Sequence, residues 1–429
     1  MASTFLSRTL GTPTSSKIWT FSTWIKRSGI SSAQHIFSID NGSDRDAFSF
    51  DSDDGLRLYF NSSATPFADL STNRLLRDTS AFYNLVLTVD TTQATADDRV
   101  KLYINGTQYT WDETTIDPAL NYDTFNASGN TFRIGRDRTA AAYLDGILAH
   151  THFIDGTAYP ASTFGETDST SGIWKPKTAP SVTYGNNGFF LKFENSGAMG
   201  TDSSGNTNTF TVSGTLTQNV DTPSNNFATF NPLFDAYSSS ISFNNGNLRL
   251  EHDASGWGTA VSSLAVNTGK WYAEFKATST TSNGMLVGIV EDGYANNLHY
   301  VGVAGTIGYH YNGEIYNRDN NTSFGNSYAQ GDIIGVAMDL TNGYVYFSKN
   351  GSFQNSGVPT SGATGTGWIS IGVTTGSNYY FALSINASGY HGEANFGQVY
   401  FGTTAVASAG TAPSEGVIFE YVCPSCYQA

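Results

Sequence analysis

The sequence predicts a nearly all-β protein made of two β-sandwiches joined by an extended linker, and three features carry that reading. Charged residues make up only 13% of the 429, so the Glu, Lys and Arg that clothe surface helices are scarce. The 45 Gly, 24 Tyr and 28 Phe fit short aromatic or β-branched runs separated by frequent turns. Asn-Gly pairs, the signature of tight hairpins, recur between runs in which apolar and polar residues alternate. The chain is also too long for one ordinary core.

In the first half, "WTFSTWIKR" (Trp19 to Arg27) alternates aromatic and polar residues over the length of a strand. "HIFSID" and "LRLYF" follow as strands, separated by "NGSDRDAFSFDSDDG", which reads as an acidic turn. "YNLVLTVD" (Tyr83 to Asp90) and "RVKLYINGTQYTW" (Arg99 to Trp111) come next. In the latter, Val100, Leu102 and Ile104 face one way, Lys101 and Tyr103 the other, and Asn105-Gly106 marks a hairpin. "TFRIGRD" and "YLDGILAHTHFIDG" (Tyr143 to Gly156) supply further strands, Pro160 to Glu166 fits one helical turn, and a loop follows. Trp19 and Trp24, like Trp271 farther on, sit in strand patterns and are expected in the core.

The second half repeats this style. "GKWYAEFKAT" (Gly269 to Thr278) alternates over a full strand, "NGMLVGIVED" follows, and "GTIGYHYNGEIYN" holds a hairpin at Asn312-Gly313. In "QGDIIGVAMDLTNGYVYFSKNG", Ile334, Val336, Met338 and Leu340 share a face, and Asn342-Gly343 and Asn350-Gly351 turn a three-strand meander. The expected layout is a sandwich over 1–165, a linker over 166–234, a second sandwich over 235–410 and a C-terminal tail over 411–429. Within the linker, "GFFLKF" reads as a strand, and "DTPSNNFATFNPL" (Asp221 to Leu233) as a proline-bracketed extended joint.

A net charge of −15 argues against binding nucleic acid, which needs clustered Lys and Arg, and disfavours an anionic membrane surface. It suits a large β protein that must stay soluble. "MASTFLSRTLGTPTSSK" contains no apolar signal-peptide core, and no apolar run long enough to span a bilayer occurs. Synthesis in a cytoplasm without membrane insertion is the expectation. The only cysteines, Cys423 and Cys426 in "CPSC", cannot close a zinc site by themselves. A disulfide, a site shared between subunits and two idle thiols stay open, with idle thiols favoured in a cytoplasmic product.

"WTFSTWIKR", "FYNLVLTVDTTQATADDRVKLYING" and "YLDGILAHTHFIDG" resemble a concanavalin-like, laminin-G-type jelly roll. "GKWYAEF", "IGYHYNGEIY", "QGDIIGVAMDLTNGYVYFSKNG" and "ANFGQVYF" resemble a SPRY domain, also a concanavalin-like sandwich. The central run "YGNNGFFLKFEN…DSSGN…DTPSNNFATFNPL" is similar to the joint of marine bacteriophage proteins described as tail-fibre or other virion components. Relatives commonly continue past the position of "FEYVCPSCYQA". Many laminin-G-like domains begin with a strand and a "DSSGN" turn. Here the pair comes last, so Gly188 to Phe193 is expected to join the first sandwich as a permuted strand.

The resemblance implies a tail or head fibre on the virion surface, acting as a non-enzymatic adhesin for a host-surface glycan or protein. The alternative is a purely structural fibre or capsid decoration. Implied partners are other virion proteins, the host-surface ligand and further copies of the chain. A trimer would suit a fibre, although no heptad or β-helical repeat marks one.

No phosphate-binding loop, H-E-x-x-H or G-x-S-x-G motif occurs, and no spacing singles out a pair among Glu251, Asp253, Glu291, Asp292 and Glu314 for glycoside hydrolysis. No catalytic residue is assigned. His150 and His152 share a strand face but lack an identified third metal ligand. Asp40, Asp44 and Asp46 are weak calcium candidates, because laminin-G-like loops often hold that ion; a solvated acidic hairpin explains the same residues and is the favoured reading. Loops of the second sandwich offer Trp257, Tyr294, Asn296, Tyr316, Asn317 and Arg318, aromatics with amides that suit stacking and hydrogen bonding to a sugar. Trp257 and Tyr294 fit buried loop anchors equally well.

Overall fold

In the computed structural model, residues 4–62, 65–112, 116–139, 141–234, 240–279, 284–295, 298–386, 388–399, 401 and 416–429 are described. The chain is all-β and divides into two compact units, one through Gln218 with Thr222–Asn226, the other Asn219–Asp221 with 227 onwards.

The first unit is a two-sheet sandwich. One sheet runs Thr211–Ser213, Phe5–Thr9, Thr131–Ile134, Gln34–Asp40, Arg45–Phe50, Leu56–Ser62, Thr65–Ser71, and the other Phe189–Leu191, Gly146–Asp155, Ile18–Arg27, Tyr83–Asp90, Val100–Ile104, Thr107–Tyr109. Alternation turns Trp19, Phe21, Phe37, Phe48, Phe132 and Phe153 inward, each worth about 1.5–3 kcal/mol on burial. Asn105 and Gly106 both have positive φ (50° and 79°), as a type I′ turn requires.

The stretch read as an acidic turn contains a strand, Arg45–Phe50, paired on both sides. Its charged residues concealed the period-2 pattern, because Asp46 points into the core opposite Ile39 and Phe60. Arg27 and Asp54 form a fully buried ion pair at 2.9 Å. Burial pushes the Asp54 carboxyl up, but the Ser31 N–H, Arg77 and Arg27 outweigh it and hold it below the usual range.

Phe189–Leu191 pairs antiparallel with Thr151–Phe153 at the sheet edge. The Asp202 side chain accepts the N–H groups of Phe190 (2.9 Å), Ser204 (2.8 Å) and Asn208 (2.7 Å), fastening the "DSSGN" turn to that strand. Most of the segment expected as a linker is therefore built into the first unit: Gly165–Thr167 pairs with Trp174–Pro176, and Thr211–Ser213 extends the first sheet.

The second unit has one sheet of Ile241–Asn244, Arg249–His252, Tyr390–Asn395, Lys270–Ala277, Ile333–Asp339, Tyr344–Lys349 and Ser352–Phe353, with Ile369–Ser370 also on Tyr344–Lys349. Its other sheet runs Trp257–Val261, Tyr379–Asn386, Met285–Glu291, Thr306–His310, Glu314–Asn317, Asn320–Ser323. Phe230, from the stretch read as a joint, is fully buried here against Phe275 and Phe396 and pairs with Ser262.

The C-terminal residues 416–429 are also packed, not loose. Buried Glu274 accepts the N–H groups of Glu420 (2.8 Å) and Tyr421 (2.9 Å). Gln428 bonds Lys270 and Tyr272 through its backbone, and Tyr427 is fully buried. Cys423 is buried within this segment, its thiol pushed up to about 12 by burial and by Glu274, while Cys426 is exposed; both are free thiols. No helix among the described residues is long and apolar enough to cross a membrane.

Candidate functional site

The outer face of the second sheet in the second unit is built from Trp257, Thr259 and Val261 on one strand and Asn386, Ser384 and Ala382 on the next. It continues through Leu286, Gly288, His310, Gly308 and Tyr316, as cross-strand register requires. Small residues at its centre let the loop after Asp292–Tyr294 lie flat upon it. A side chain on Gly308 would meet Val301 at 2.9 Å, and Leu298 and Val301 are buried there with Val261, Leu286 and Val290. Ser384 Oγ accepts the Val301 N–H at 2.9 Å, and Thr259 Oγ1 donates to His299 O at 3.2 Å.

The loop so held inserts Tyr300 between two of the sequence candidates. Trp257 stacks on Tyr300 (centroids 5.1 Å apart, 29° between planes), and Tyr300 meets Tyr316 edge-on at 6.4 Å. His310 lies 4.6 Å from Tyr316, 4.4 Å from Tyr311 and 6.3 Å from Trp257. Gly302 has φ +125° and packs on Tyr316, leaving 2.5 Å between the Tyr316 Cβ and any Cβ placed there, so a side chain would displace the ring. Trp257, Tyr300, Tyr311 and Tyr316 are each half-buried.

Burial pulls the His310 imidazole below its ordinary pKa despite Asn312 and Glu314 nearby, so it is neutral at physiological pH. Its buried Nδ1 has no hydrogen-bond partner. Asn312 Nδ2 donates to Glu314 Oε2 at 2.9 Å beside it. Half-exposed rings edged by a neutral imidazole, an amide and a carboxylate can stack on a flat apolar surface and hydrogen-bond its periphery.

The remaining candidates separate. Tyr294 is 47% exposed and lies over Gly305 at the start of the same loop, so it is not a buried anchor. Asn296 lies outside the described residues. Asn317 points to the face opposite Tyr316, as its neighbour in a strand must, and accepts from Arg318 Nη1 at 3.3 Å. Arg318, at φ +50°, turns its guanidinium to the Ile371 carbonyl. Tyr300 and His310 were missed. "NNLHYVG" has no strand pattern to place Tyr300, whereas the alternation in "IGYHY" does set His310 opposite the core residue Tyr309.

The three calcium candidates do not converge. Asp40 and Asp46 project from opposite faces of their paired strands, since Asp46 is opposite Ile39 while Asp40 is opposite Arg45. Asp40 is ion-paired with Arg133. Burial pushes the Asp46 carboxyl up to about 8, against a 2.6 Å bond from the Phe125 N–H, so it is largely protonated at neutral pH. Asp44 sits at the intervening turn. His150 lies within a β-bulge and His152 at its end; both stack on one ring, Phe190, at 5.9 and 3.9 Å, and burial lowers both. Among the described residues no group of three or more His, Cys, Asp or Glu side chains could hold a metal ion.

These two sandwiches define a tandem β-sandwich protein. Residues 6–162 match the concanavalin A-like lectin/glucanases superfamily in its laminin-G form, and residues 270–389 match the SPRY domain. The chain thus carries a concanavalin-like domain followed by a SPRY domain. Similar solved structures include the SPRY domain of human HERC1 (20% identity, TM-score 0.32, covering 38% of this chain and 96% of that one). A human SPRY domain (19%, 0.28, 36% and 94%) and the TRIM65 PSpry domain (11%, 0.30, 39% and 91%) are others. No curated protein sequence matches the chain.

Proposed function

We propose that this protein is a bacteriophage virion component, a tail or head fibre, that acts as a non-enzymatic adhesin for a host-surface glycan or protein. The observation that carries adhesion is the group of half-exposed rings Trp257, Tyr300 and Tyr316 with His310, held on a rigid sheet face. Such a surface binds weakly by stacking and gains strength when many copies engage at once on one particle. The virion setting rests on the resemblance of the domain order and joint to phage proteins. Other virion proteins and further copies of the chain are the proposed partners.

The test combines gold labelling of intact particles, using an antibody to the second domain, with attachment assays of Trp257→Ala and Tyr316→Ala. Label at appendage tips, with cell binding at least tenfold weaker in the variants, is expected. Particles without label would overturn the virion reading; unchanged attachment would overturn adhesion through this face. A purely structural role has one observation in its favour: Phe67, Ile116 and Leu120 of the first unit are 47–51% exposed, apolar surface suited to a virion neighbour.

A further inference from the structure

The second unit carries another aromatic surface, on its other sheet. Tyr344 stacks on Trp368 with centroids 4.5 Å apart and 28° between planes. The Tyr344 hydroxyl donates to the Ala363 carbonyl at 3.1 Å, fixing that ring. Gly365, at φ +56°, sits against the Trp368 edge, where any Cβ would come within 2.4 Å of the indole. One face of Trp368 is covered by Tyr344, and the side chain remains 38% exposed.

Against the Tyr344 member of this pair lies an open cleft of about 410 Å³, lined by Leu340, Thr341, Asn342, Tyr344, Ser370 and Val373 with Gly343 and Gly372; no charged side chain lines it, and the Arg318 guanidinium lies at its edge against Gly372. Its rim is built, not loose. Asn342 is oriented by two bonds to buried Asp339, from its backbone N–H (3.0 Å) and its side-chain amide (2.7 Å). Asp339 is in turn paired with Lys270 at 2.9 Å. The Ile371 N–H closes the wall on the Gly343 carbonyl at 2.9 Å.

A half-buried tyrosine ring in the wall, hydroxyls and an amide at the margin, and a lining without charged side chains match an uncharged pyranose, which offers an apolar face and a ring of hydroxyls. A phosphate-bearing ligand is disfavoured by the chain's net charge of −15. The two aromatic surfaces point away from each other. Tyr344 shares an outer face with Tyr346 while Val345 enters the core, and Trp257 lies on the outer face of the opposite sheet.

We propose that the cleft walled by Tyr344, whose ring Trp368 stacks upon, is a second saccharide site, taking one uncharged sugar ring of a glycan beside that stacked pair. A domain with sites on opposite faces holds two glycan strands at once and cross-links them. The cleft is independent of the Trp257 face, so each is tested without the other.

The experiment is affinity electrophoresis of the full chain through native gels containing a neutral β-glucan, a galactan or a mannan. Trp257→Ala is expected to remain retarded in at least one gel. Adding Trp368→Ala should weaken that retardation at least tenfold, as should Ser370→Arg, which blocks the cleft and leaves the stacked pair in place. Loss of all retardation in Trp257→Ala alone would overturn the second site. So would retardation that survives both cleft substitutions, or a wild-type chain that no gel retards. Unaltered circular dichroism of Ser370→Arg separates lost binding from lost folding.

Discussion

Replacing Glu274 by Gln is expected to flatten the pH dependence of the second domain's stability. Glu274 is fully buried, and burial pushes its carboxyl from 4.5 up to about 7 against the bonds from the Glu420 and Tyr421 N–H groups and the Tyr272 hydroxyl. The folded-state value lies above the unfolded one, so the fold favours the protonated acid. That contribution is complete below about pH 4.5 and is lost as pH climbs through 7. At roughly 1.4 kcal/mol per tenfold change in proton affinity, the loss approaches about 3 kcal/mol by pH 8.5. Gln carries no ionisable proton and mimics the neutral acid. The assay is urea unfolding of the full chain from pH 4.5 to 8.5, comparing wild type with Glu274→Gln. Asp46 in the first domain titrates in the same direction, and the comparison cancels it. Equal pH slopes in the two proteins would refute the reasoning, because the buried carboxyl would then not be the titrating group.

Other substitutions test the first domain. Arg27→Ala leaves the Asp54 carboxylate buried without its fully enclosed partner and should cost the first domain about 3–5 kcal/mol, read as a lowered first unfolding transition with the second unmoved. A transition shifted by less than a degree would show that Arg77 alone suffices for Asp54. Asp202→Ala removes the acceptor for three backbone N–H groups and should cost about 2–3 kcal/mol. Amide exchange of Phe189–Leu191 should rise selectively, and unchanged protection there would mean that strand pairing alone holds the segment.

Much of the architecture is legible in local pattern. Strands such as Trp19–Arg27 and Ile333–Asp339 announce themselves because one face is buried and the backbone repeats every two residues. Asn105-Gly106 and Asn350-Gly351 are readable because both residues of each turn need positive φ, which few residue types adopt. The strand Arg45–Phe50 escaped because its polar residues are accommodated by distant ones: Arg45 pairs with Asp137, and Asp46, kept largely neutral by burial, accepts the Phe125 N–H.

The candidate site divides along the same line. Trp257 and Tyr316 could be picked out as residue types, and strand parity dictates that Tyr316 and Asn317 point apart. That Tyr300 stacks on Trp257, 43 positions away, depends on Gly288 and Gly308 pairing across two strands and leaving room for the loop. That Trp368 meets Tyr344 depends on Ile369–Ser370 pairing with the strand that carries it. By itself, the sequence determined the β character, many of the strands and most of the inward-facing residues, because these follow from backbone periodicity and turn stereochemistry. Only the tertiary structure decided which aromatic rings meet, which carboxyls lose their water and where residues 416–429 dock, because register and packing are set by contacts far apart along the chain.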